Sequence, residues 1–121
     1  MVEKLDVNFY QESNGNEPVR KWLKSLDKEV RLIIGEDLKR VQHRWPLGMP
    51  LVRPLSDGLF ELRSTLPNRI ARIIFMFCDH KIILLHGFIK KTEETPDQDL
   101  SLAKERSKNI KRKSNEKKKK A

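Results

Sequence analysis

Residues 58–91 read GLFELRSTLPNRIARIIFMFCDHKIILLHGFIKK. Extended, apolar-rich segments at 58–64, 69–77 and 81–88 are separated only by Pro67-Asn68 and Asp79-His80. Breaks this short, made of turn-favouring residues, predict an antiparallel meander. The run Ile70 to Phe77 is apolar at both parities except at Arg72, the pattern of a central strand covered on most of both faces. Another extended segment, 50–54, precedes these three, with Ser56-Asp57-Gly58 as its turn.

Before the meander the periodicity changes. Leu5, Val7 and Phe9 alternate with polar partners, predicting a short first strand. Pro18 suits a first helical position, with Asn16 or Glu17 as its cap, and Val19, Trp22, Leu23 and Leu26 follow at helical spacing. From about Asp27 a second helix carries Val30, Ile33, Ile34, Leu38 and Val41 on one face, and Trp45-Pro46 ends it. The two form an amphipathic hairpin. After Thr95-Pro96 a last helix opens with Asp97 and Asp99, whose carboxylates complement its dipole. The predicted fold is α+β: a helical hairpin packed on a small antiparallel sheet of four to five strands, with a C-terminal helix. One domain spans 1–110, and 111–121 reads as a basic, disordered tail.

Charge and cysteine usage narrow the function classes. The chain has 121 residues and a net charge of +9. Residues 104–121 hold ten Lys/Arg and two Glu, so the body is nearly neutral and the high isoelectric point belongs mostly to the tail. Within the body, 58–91 holds six bases and two acids, whereas 92–103 holds four acids and no base. Cys78 is the sole cysteine, which excludes an intrachain disulfide and a cysteine-based zinc site and predicts a reducing cytoplasm. No apolar stretch approaches the roughly 20 residues of a membrane-spanning helix, so no membrane association is expected. His43, His80 and His86 lack partners at metal-ligand spacing, and neither metal nor cofactor is expected.

The remaining chemistry lies in cations on strands: Arg63, Arg72, and Lys90 with Lys91. A charge within a strand core is costly unless paired or facing a cleft, and Arg clamps phosphate well. Arg72 therefore either lines a functional cleft or sits in a buried ion pair. Arg63 either contacts phosphate or pairs with an acid across the sheet. Lys90-Lys91 has the alternative of a solvated strand end. Metal-free RNA cleavage needs a proton-transfer group besides cations. His86 could supply one, since histidine changes charge near neutrality, or could be a hydrogen-bonded, half-buried residue.

Three motifs in order carry a resemblance: GLFELRS (58–64), RIIF (72–75) and IILLHGFIKKTEETP (82–96), preceded by PVRKWLKSLDKEV (18–30) and followed by Ala103. Together they resemble the RelE/ParE toxin superfamily, and more closely its HigB-like, phage-derived branch. The resemblance covers about residues 5–110. It implies the toxin of a toxin–antitoxin pair, an endoribonuclease that cuts mRNA in the ribosomal A site without metal. The implied partners are the ribosome, mRNA and a cognate antitoxin of helix-turn-helix DNA-binding type. Position by position it implies phosphate stabilisation by Arg72, a further RNA contact by Arg63, and a cation near the scissile phosphate at Lys90 and Lys91. Arg69, Lys111, Arg112 and Lys113 are further RNA-binding candidates. The tyrosine found three residues before Ala103 in the superfamily's best-known member is replaced by Leu100, so His86 is the candidate proton-transfer group. The ParE side of the superfamily, which inhibits DNA gyrase by binding, and a non-catalytic nucleic-acid-binding protein are the alternatives.

Overall fold

A computed structural model describes residues 4–90 and 94–120, with side chains described up to 113. The order of elements is β1 (Asp6–Phe9), α1 (Pro18–Ser25), α2 (Lys28–Arg44), β2 (Val52–Pro54), a 3-10 turn (Ser56–Gly58), β3 (Leu59–Leu66), β4 (Arg69–Cys78), β5 (Lys81–Lys90) and α3 (Asp97–Lys120). It is an α+β fold. The strands form one sheet in the order β1-β5-β4-β3-β2.

The meander is antiparallel as predicted, and both of its turns are two residues long. Asn68 has φ of 63°, and Asp79 and His80 have φ of 52° and 61°. In the Asp79-His80 turn both central residues have positive φ, the type I′ geometry whose twist matches that of the flanking strands, whereas in the Pro67-Asn68 turn only Asn68 does. The first strand departs from expectation. β1 pairs parallel with β5, Asp6 opposite Lys81 through Phe9 opposite Leu84, so the sheet is mixed rather than wholly antiparallel. Returning from β1 to the far edge through α1 and α2 places β1 and β5 in the same direction, which no hairpin could do.

Each face of the sheet has its own cover. On one face Val19, Val30, Ile34 and Val41 of the hairpin pack with Leu62, Ala71, Ile73, Phe75, Ile82 and Leu84. Val19 sits one residue into α1, behind Pro18, and Glu17 occupies the cap position. Trp45 fills the end of this core with its ring edge-on to Phe60 at 4.8 Å and Phe75 at 5.5 Å. On the other face, Ala103, Leu100 and Ile110 of α3 cover Leu59, Ile74, Met76, Leu85 and Phe88. The backbone of α3 stays helical to Lys120, where the sequence predicts a disordered tail from 111. Among the described residues no helix is long and apolar enough to cross a membrane.

Candidate functional site

A bulge determines which side chains reach the face under α3. In the β4–β5 ladder Ile74 stands opposite His86 but Phe75 opposite Leu84, leaving Leu85 as the extra residue. An inserted residue reverses side-chain parity on either side of it. Ile82 and Leu84 consequently point to the hairpin, while His86, Phe88 and Lys90 join the face under α3. The bulge also frees the carbonyl of Leu85, which accepts a 2.7 Å hydrogen bond from Arg106 Nη1 of α3.

Two polar groupings share this face. The inner one centres on Glu61, which is fully buried. Arg53 lies opposite it in the β2–β3 register, Arg63 follows two residues along β3, and Arg72 stands opposite Arg63 on β4. Arg63 Nε is 3.8 Å from Glu61 Oε1, and Thr95 Oγ1 donates to Glu61 Oε2 at 2.7 Å. Arg72 is also fully buried, with Nη1 donating to the carbonyl of Glu94 at 2.8 Å and its guanidinium 5.9 Å from the Phe88 ring centre. Buried charges persist when paired and hydrogen-bonded, and here the partners are the ELR motif's own glutamate and the 94–95 backbone and hydroxyl.

The outer grouping reaches solvent. His86 Nε2 lies 2.6 Å from Asp99 Oδ1, and Lys90 Nζ lies 3.3 Å from Asp99 Oδ2. The His86 ring stacks on Phe88 at 5.5 Å, and Lys90 sits 5.9 Å from the centre of the same ring. A carboxylate only accepts, so the short contact assigns a proton to Nε2, and in the neutral ring Nδ1 then holds the lone pair. Asp99, in the first turn of α3, thereby orients an imidazole whose second nitrogen can take a proton. Among the described residues no group of three or more His, Cys, Asp or Glu side chains converges to hold a metal ion.

Residues 21–108 match the family described as Phage derived protein Gp49-like (DUF891). The chain belongs to this family. It is a family of RelE/toxin-like proteins. No curated protein matches the chain. The matched region of this Gp49-like protein runs from α1 into α3 and contains both polar groupings.

The structure brings Arg63, Arg72, His86 and Lys90 to one sheet face. Arg72 is fully buried and donates to the Glu94 carbonyl, held under residues 94–95 instead of lining an open cleft. Arg63 lies 3.8 Å from an acid on its own strand, Glu61. Arg69 is exposed at the start of β4, and Lys111, Arg112 and Lys113 are exposed on α3, apart from the His86 grouping. Lys91 lies outside the described residues. Sequence reasoning missed Asp99 as a partner of His86, because thirteen residues and a helix start separate them. It also missed Thr95 as the donor to Glu61. The signal for Asp99 was present in the acidic opening of α3 but had an adequate explanation in the helix dipole.

Proposed function

We propose that this Gp49-like protein is the toxin of a toxin–antitoxin pair and a HigB-like, ribosome-dependent mRNA endoribonuclease acting in the cytoplasm. The observation that supports this reading best is the 2.6 Å His86–Asp99 contact beside Lys90, on a face that also bears Arg63 and Arg72. In the proposed step His86 Nδ1 takes the proton of the 2′-hydroxyl and the 2′-oxygen attacks phosphorus. The bond from phosphorus to the 5′-oxygen breaks, that oxygen takes the electron pair and a proton from His86 or solvent, and a 2′,3′-cyclic phosphate and a 5′-hydroxyl result. Lys90 offsets the charge that builds on the phosphorane. The ribosome supplies the alignment of 2′-hydroxyl and phosphate that so small a site lacks, so orientation is the part of the barrier it lowers. A cognate antitoxin of the helix-turn-helix DNA-binding type restrains the activity.

Primer extension on mRNA from a translation extract, with and without the protein, tests this reading. The expected result is cleavage within translated codons, negligible cutting of naked RNA, and persistence in EDTA when ribosomes are kept intact. Rapid cutting of naked RNA by the pure protein would overturn the mechanism. The burial of Arg72 supports a second reading, a ParE-like inhibitor of DNA gyrase that needs no phosphate-clamping arginine. Loss of supercoiling activity with uncut mRNA would favour it.

A further inference from the structure

The flank of α3 opposite Asp99 carries a separate charged feature. Ala103 and Ser107 are buried against the sheet, and Lys104, Lys108 and Lys111 lie one position further around the helix. They recur at spacings of four and three, so all three project along a single line, about 10 Å from first to last at 1.5 Å per residue. With Asp57, Leu59 and Ser107 they line an open groove of about 480 Å³ between α3 and the 3-10 turn that precedes β3. Lys104 Nζ lies 3.5 Å from the carboxylate of Asp57, which is the groove's single acid and is itself largely exposed.

We infer that this groove binds the phosphodiester backbone of single-stranded RNA. The inference deepens the ribonuclease reading, from which RNA is taken as the polyanion, and gives the strand a contact distinct from the grouping of His86, Lys90 and Asp99. Two observations favour a phosphate polymer over a carboxylate-bearing peptide. The three lysines are arranged in a line, which suits a polymer of regularly spaced charges. The apolar floor residue, Leu59, is fully buried and offers no grip to a peptide's apolar side chains. Asp57 acts as a competing anion that the RNA displaces from Lys104.

Fluorescence anisotropy of a labelled 12-nucleotide oligouridylate, read over a range of KCl concentrations with the full chain, tests the groove without ribosomes or cleavage. Its outcome is therefore independent of whether the protein cuts mRNA. The variant K104Q/K108Q/K111Q is expected to flatten the slope of log affinity against log salt by about 2, since each phosphate contact to a single strand contributes about 0.7. The control K24Q/K28Q/K39Q removes the same charge from α1 and α2 and should leave the slope unchanged. Asp57→Asn should tighten binding about two- to fivefold; asparagine tolerates the left-handed backbone of that position, where φ is 59°. Equal slope changes in the two triple variants, or none in either, would overturn the groove. So would a loss of binding to a polyglutamate peptide as large as the loss to RNA.

Discussion

At the scale of single residues, the sharpest contrast is between Arg72 and His86. Both stand on the α3 face, yet one is sealed and the other reaches solvent beside Lys90. Removing one partner of a buried charge network costs about 3–5 kcal/mol. Arg72→Ala is therefore expected to lower unfolding free energy by that order in urea denaturation, so any loss of toxicity follows from lost structure. A variant within about 1 kcal/mol of the parent would contradict the buried role. For His86→Gln the expectation is the reverse. Stability stays near that of the parent while single-turnover cleavage of ribosome-bound mRNA drops about 10²–10⁴-fold. Asp99→Asn should reproduce part of that loss, because an amide orients the imidazole less well. Near-normal turnover in both variants would remove His86 from the mechanism.

Gly87 makes a different kind of point. A Cβ at this position would run into the six-membered ring of Trp22 on α1, so a glycine here lets the helix approach β5. Overpacking of this kind costs about 1–3 kcal/mol. Gly87→Ala should lose that amount in chemical denaturation, and Trp22→Phe in the same chain should recover part of it. A simple sum of the two single effects would show that the two sites are not coupled.

At the scale of elements, the β4–β5 turn and α3 each add something beyond their local pattern. The turn is built with Asp79 and His80 at positive φ, a conformation glycine occupies at no steric cost. His80→Gly is expected to raise stability by about 0.5–1 kcal/mol, measured as a shift of the urea midpoint at constant slope. A decrease would show that the ring's contact with Phe77, at 6.3 Å between centres, outweighs the backbone relief. Helix α3 has a weak apolar stripe, yet Leu100, Ala103 and Ile110 cover the second core and Arg106 caps the bulge carbonyl. Truncation after Leu102 should therefore yield an insoluble chain, since it uncovers Ile74, Met76, Leu85 and Phe88. Truncation after Lys113 should leave the melting temperature within a few degrees. Equal melting of the two truncated forms would show that α3 contributes nothing to the second core.

At the scale of the whole molecule, the chain is a sheet between two unequal helical layers, and the candidate site lies on the thinner side. The helices, the meander, both two-residue turns and the hairpin core were legible in the residues. Periodicity, proline and turn chemistry act over a few neighbours, so a local reading recovers them. The candidate cations were legible as well, because a charge inside an apolar strand stands out against its neighbours. Their surroundings were not. Arg72 is buried because Glu94 and Thr95, more than twenty residues later, fold back over it and Glu61. His86 shares parity with Leu84 in the sequence, and the extra residue Leu85 turns it to the opposite face, where Asp99 receives it. The parallel pairing of β1 depends on which edge strand remains open once the meander has formed. Each of these outcomes rests on contacts between residues distant in the chain, whose register, parity and burial are set only when the layers pack together.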